Sequence, residues 1–149
     1  MKVVIIQQED EEEEIIIKTK RLTSQMKQLI SYIEQMNTGI RVYQDKQEFQ
    51  LSIDAIYYIE TIDNTTIVYT QYNSYQYKGS LTSLQELLNK RDFCRISKQA
   101  IVHLSCIRCI EPYANHRLLL VLKNEEKLLV NRSYMEEVKY QIRNGGIFL

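Results

Sequence analysis

From Ile40 onward the apolar residues recur at a spacing of two, in short runs broken every few residues by turn formers. That pattern admits a chain of short, half-buried strands and excludes a helical bundle, whose apolar stripe repeats at three and four. Arg41-Val42-Tyr43 and Glu48-Phe49-Gln50-Leu51 read as a hairpin around Asp45-Lys46. Ile53 to Tyr58 holds a helical turn, because Ile53, Ile56 and Tyr57 share a face. A strand then starts at Ile59, turns at Asp63-Asn64-Thr65 and returns over Ile67 to Tyr72; Asn73-Ser74 marks another turn before Tyr75 to Lys78. Further strands are expected at Cys94–Ile96, Ala100–Leu104, Ile107–Ile110, Leu118–Leu122 and Lys127–Val130. The predicted class is α+β, mainly β.

Three segments break the period. Thr23 caps a predicted helix in which Met26, Leu29, Ile30, Ile33 and Met36 follow helical spacing, and Asn37-Thr38-Gly39 ends it. Ser80 caps a short helix to Leu88 with Leu81, Leu84, Leu87 and Leu88 on one side. A last helix, Ser133 to Ile142, presents Tyr134, Met135, Val138 and Ile142. Ahead of the first helix, Lys2–Ile6 and Ile15–Lys18 are β-branched runs flanking an acidic stretch, expected as two strands joined by a solvated loop. Residues 1–38 thus read as a small strand–strand–helix unit, suited to dimerisation because it buries little alone, and residues 39–149 as the main domain.

Charge qualifies the function. The 149 residues carry 19 Lys+Arg and 19 Asp+Glu, a net charge of zero. Nucleic-acid affinity comes largely from cations that neutralise phosphates, so a neutral total argues against a nucleic-acid binder until the distribution is considered. Residues 1–14 hold six acids and one base, Lys2, a balance of −5. Residues 78–149 hold twelve Lys and Arg against seven Asp and Glu, a balance of +5. The polarity permits a basic surface in the second half.

Motifs for chemistry are sparse. Cys106 and Cys109 form one C-x-x-C, within a strand pattern, where buried strand cysteines are favoured over a zinc or redox pair. His103 and His116 are the only imidazoles, and neither neighbours a nucleophile and a carboxylate. Phosphate-cradling glycine loops and nucleophile elbows are missing. No catalytic residue, metal site or cofactor is therefore expected. The three cysteines are an odd number, and no apolar run is long enough for a signal core or a membrane span, which together suggest a cytoplasmic protein. Two polar loops stand out: Ser97-Lys98-Gln99 between apolar strands, and Asn131-Arg132-Ser133 before the last helix. Each is read either as a plain turn or helix cap, or as a projection into a nucleic-acid groove.

Three passages in a fixed order bear on that choice: IDAIYYIETIDNTTIVYT, GSLTSLQELLNKRDFCRISKQAIVHLSCIRCI and EKLLVNRSYMEEVKYQI. From about Ile40 to Arg143 their order and spacing resemble the LytTR DNA-binding domain, with His103 standing where members commonly carry Asn. The resemblance implies an elongated β-strand fold with short helices that inserts loops into successive major grooves of double-stranded promoter DNA. It implies contacts from Asn64, Thr65 and Thr66 in a first loop, Ser97, Lys98 and Gln99 in a second, and Asn131 and Arg132 in a third, with Lys78 on a phosphate. It further implies a homodimeric transcription regulator resembling the stand-alone members that lack a receiver domain. Such regulators often accompany a small membrane protein, a partner implied by resemblance only. The alternative is a β-rich protein-interaction or ligand-sensing module without DNA binding.

Overall fold

A computed structural model describes residues 2–9, 14–90 and 92–144, with residues 35–38 described by their backbone alone. Helix α1 (Ser24–Thr38) leads into β1 (Ile40–Gln44) and β2 (Gln47–Leu51), and a 3-10 turn (Ile53–Ala55) precedes β3 (Tyr58–Ile62), β4 (Thr65–Tyr69) and β5 (Ser74–Tyr77). Helix α2 (Leu81–Leu87) separates these from β6 (Phe93–Ser97) and β7 (Ala100–His103). Then come β8 (Ile107–Tyr113), β9 (Arg117–Leu122), β10 (Lys127–Leu129) and helix α3 (Met135–Asn144). The strands form a seven-stranded sheet in the order β2-β1-β5-β4-β3-β7-β6 and a three-stranded sheet in the order β10-β9-β8. Every ladder is antiparallel, and short connections join the sequential pairs β1–β2, β3–β4, β4–β5, β6–β7, β8–β9 and β9–β10.

The turns follow from residue chemistry. Asp45 and Lys46 between β1 and β2, and Asp63 and Asn64 between β3 and β4, all take positive φ. That is the two-residue hairpin turn whose twist matches the flanking strands and which Asp and Asn tolerate. Gly39, at φ +63, ends the break after α1; a Cβ there would collide with the Leu51 carbonyl, so only glycine fits.

Two apolar cores lie on opposite faces of the large sheet. Val42 joins Ile56, Ile59, Val68, Leu81, Leu84, Leu88, Phe93 and Ile101 beneath α2. On the other face Tyr58, Cys94, Ile96, Val102 and Leu104 meet Leu120 and Leu122 of the small sheet and Met135, Val138 and Ile142 of α3. Neighbouring residues of the central strands therefore enter different cores, Tyr58 and Ile59 on β3, Ile101 and Val102 on β7. Burial on both faces explains the continuous apolar run there, whereas β1 alternates Ile40 in, Arg41 out, Val42 in. Ser80 caps α2 by accepting from the Ser83 amide at 3.0 Å. Leu87, expected with the other leucines, is instead 46% exposed, because the short helix buries only a narrow stripe at 81, 84 and 88.

The two strands expected before α1 are corrected: among the described residues, 2–8 and 14–19 make no ladder. Both segments gather beside Met26 and Leu29 of α1 instead of along a sheet edge. Val3, Ile5 and Ile6 remain exposed. The acidic residues 10–13, and the Met36 side chain expected on the apolar face of α1, lie outside what is described. Thr23 caps α1 as expected, accepting from the Met26 amide at 3.3 Å. The Tyr32 hydroxyl donates to Asp92 at 2.9 Å and ties the helix to the main domain; that bond and burial raise the phenol's pKa.

Candidate nucleic-acid interface

Antiparallel pairing decides which turns share an end of the sheet. Strand β3 runs toward the Asp63-Asn64 turn, and β7, paired to it at Glu60↔Ala100, runs away from the turn that joins it to β6. The two turns therefore project in one direction, and the Thr61 amide donates to the Gln99 carbonyl at 2.8 Å to join them. Asn64 stands about two residues, roughly 7 Å, farther out than Gln99 at the rise of a strand. Strand β5 returns to this end as well, since Tyr77 faces Thr66, so Lys78 emerges beside the first turn. Its ammonium sits 4.2 Å from the centre of the Tyr43 ring. The third loop joins the row where the Asn131 amide donates to the Ile96 carbonyl at 2.9 Å. Asn64, Lys78, Lys98, Asn131 and Arg132 are exposed along this end.

The second turn is held from below. Ser97 Oγ accepts from the Gln99 amide at 3.1 Å. The Arg95 guanidinium donates to the Ser97 carbonyl at 2.9 Å through Nε, to the Lys98 carbonyl through Nη2, and to Gln85 Oε1 of α2 at 2.9 Å through Nη1. One planar fork thus fixes two successive carbonyls of the turn against a helix, which leaves the Lys98 side chain pointing outward from a rigid base. In the third loop Asn131 Oδ1 accepts from the Ser133 amide at 3.2 Å. It caps a 3-10 turn (Arg132–Tyr134) that runs into α3. The capped turn presents Arg132 to solvent.

Not every expected contact is presented. Thr66 is 3% exposed, and its hydroxyl donates to the Gly79 carbonyl at 2.7 Å. Its side chain anchors the start of α2 and is withdrawn from the surface, so the first loop offers Asn64 and the half-buried Thr65 alone. His103 also lies inward, 6% exposed and stacked on Phe93 at 4.4 Å. Its Nδ1 lies 2.7 Å from the Ile56 carbonyl, which only accepts, so Nδ1 carries the proton and Nε2 accepts from Ser105 Oγ at 2.9 Å. The imidazole is a core tether between β7 and the turn before β3. Cys94 and Cys106 are buried free thiols, and Cys109 is a half-buried one in β8. Burial pushes the Cys94 thiol up to about 12 and raises that of Cys106. Among the described residues no group of three His, Cys, Asp or Glu side chains could hold a metal ion. In the sequence Arg95 stands out only as part of a strand motif, because its partners are mostly backbone carbonyls that no residue pattern displays.

One end of this β-rich domain thus lines up three polar loops and a lysine. Residues 46–143 match the model of the LytTr DNA-binding domain, and the chain belongs to that family. It is 38% identical over 76 residues to the sensory transduction protein LytR of Streptococcus mutans, covering 51% of this chain and 31% of that protein. It is 32% identical over 104 residues to the transcriptional regulatory protein YpdB of Escherichia coli, covering 69% of this chain and 43% of that protein. The chain thus spans less than half the length of these relatives. A solved LytTr DNA-binding domain from Bacillus cereus has the same fold, with a TM-score of 0.67 at 24% identity over 70% of this chain and 96% of that one. Among the described residues no helix is long and apolar enough to cross a membrane.

Proposed function

We propose that this protein is a transcription regulator that binds double-stranded promoter DNA by placing the loops at 64–65, 97–99 and 131–132 in successive major grooves. The observation that carries this reading is the alignment of Asn64, Lys98 and Arg132 on one end of the domain, stitched by the Thr61–Gln99 and Asn131–Ile96 backbone bonds. Arg132 suits bidentate recognition of a guanine edge, Lys98 a base edge or phosphate, and Lys78 a phosphate. Asn64, Thr65, Ser97, Gln99 and Asn131 supply hydrogen bonds. The cytoplasm, where the chromosome lies, is the compartment this role requires.

The reading includes a homodimer on two half-sites about 10 base pairs apart or a multiple of that. Its support is the N-terminal arm, where Val3, Ile5 and Ile15 are 79%, 82% and 69% exposed on segments whose backbone has no ladder partner among the described residues. Extended apolar segments of this kind are covered by pairing with a second copy. The test is fluorescence anisotropy on a duplex from the region upstream of the gene and on its scrambled counterpart, across a salt series. The expected result is preferential binding that weakens steeply with salt, and Arg132→Ala costing about 1–3 kcal/mol with relaxed preference at one base pair. Equal binding to both duplexes at every salt concentration would overturn the reading.

A further inference from the structure

Beyond the third loop the row of cations continues. Strands β8 and β9 meet at a tight turn where Asn115 and His116 take positive φ. This turn lies beside the third loop, because the Val130 amide donates to the Leu118 carbonyl at 2.9 Å and brings β10 and residues 131–132 against the start of β9. Between the turn and α3 runs a groove lined by Tyr113, His116, Arg117, Arg132, Met135 and Lys139 among others. Arg132 in the 3-10 turn and Met135 and Lys139 of α3 line the same groove, so Lys139 extends the line begun by Arg132 by seven residues, about two helical turns.

Three features give the groove a specific chemistry. No Asp or Glu is among the described residues that line it, in a chain with equal numbers of acids and bases. Neither ion pair of the described residues, Arg41–Glu48 or Arg108–Glu125, uses its cations. The Arg117 guanidinium is also pre-set: its Nε donates to the Ala114 carbonyl at 3.3 Å, and its carbon lies 5.5 Å from the centre of the Tyr113 ring. The remaining N–H groups of the fork stay available to an anion.

We propose that this groove is a phosphate clamp, in which Arg117 and Lys139 grip the DNA backbone next to the base pair read by Arg132. The proposal rests on the DNA-binding reading above and deepens it. A backbone grip of this kind adds sequence-independent affinity and sets the orientation of the third loop, while Arg132 keeps the base contact. It also answers the neutral total charge, because the cations that matter are gathered at one end and left unpaired.

The test uses the full chain and two duplexes, one from the upstream region and one scrambled, with anisotropy read across a salt series. Each phosphate neutralised contributes about 0.9 to the slope of log K against log salt. The Arg117→Ala, Lys139→Ala double variant should show a slope shallower by about 1.8, with affinity lowered equally on both duplexes. Arg117→Lys, which retains the charge, should restore its share of the slope. Lys139→Gln alone, an exposed change that leaves the hairpin untouched, should flatten the slope by about 0.9 and covers the case in which the double variant misfolds. A wild-type slope in Lys139→Gln, with wild-type binding intact, overturns the clamp and leaves the three-loop reading standing. Absence of salt-dependent binding by the wild type overturns both.

Discussion

Removing the Arg95 fork tests whether the second loop works because it is rigid. In Arg95→Ala the carbonyls of Ser97 and Lys98 lose their shared donor, and Gln85 loses its link to the turn. These carbonyls are near solvent and water replaces part of the loss, so the stability cost should be only about 1–2 kcal/mol. The larger effect falls on binding. A loosened turn must be reordered on the DNA, and fixing a residue's backbone costs about 1–2 kcal/mol. Two residues, Lys98 and Gln99, with Gln99 still held partly through Thr61, give about 2–3 kcal/mol, or roughly 30- to 140-fold in Kd. The assay is anisotropy at fixed salt beside a urea melt, so that folding and binding are read separately. Arg95→Lys is the discriminating variant, since it keeps the charge and loses the planar fork, and it should resemble Arg95→Ala. If Arg95→Lys binds like the wild type, the rigid-turn reasoning is wrong and the residue acts by charge alone.

Two other expectations concern groups that face inward. Thr66→Val keeps shape and removes the bond to Gly79; it should lower stability by about 1 kcal/mol in a urea melt and leave DNA affinity within about twofold. A tenfold loss of affinity at full folding would instead put the Thr66 hydroxyl on DNA. Stability should also fall in alkali. The Cys94 thiol titrates at about 12 when folded and near the ordinary thiol value, about 8.5, when unfolded, so between these the unfolded chain holds fewer protons. Urea midpoints should therefore decline as pH rises above about 9, and Cys94→Ala should flatten that decline; an identical slope in the variant would contradict it.

Much of the architecture is legible because turn chemistry and spacing agree. Asp45-Lys46 and Asp63-Asn64 mark hairpins from residue type alone, Ser80 announces the helix entry it caps, and the Asn131-Arg132-Ser133 loop announces a cap that Asn131 supplies. Leu87 departs from expectation because spacing cannot say how wide a helical stripe a sheet covers. The N-terminal runs show the opposite limit: β-branched composition marks a segment that can extend, but a ladder needs a strand edge beside it, and these segments lie against α1. Site residues are legible where the side chain points out, as at Lys98 and Arg132. Thr66 is not, because its partner, Gly79, is thirteen residues away. Arg95, Arg117 and Lys139 look like ordinary surface charges until pairing aligns their strands and helix at one end.

The most direct test of the central claim is a dimethyl sulfate footprint on the upstream duplex, which reports guanine N7 in the major groove and adenine N3 in the minor groove. The account predicts protected guanine N7 positions in patches about one turn apart on one face of the duplex. It also predicts that the patch assigned to the second and third loops is lost in a Lys98→Ala, Arg132→Ala double variant. Protection confined to adenine N3, or guanine protection unchanged in that variant, would contradict it.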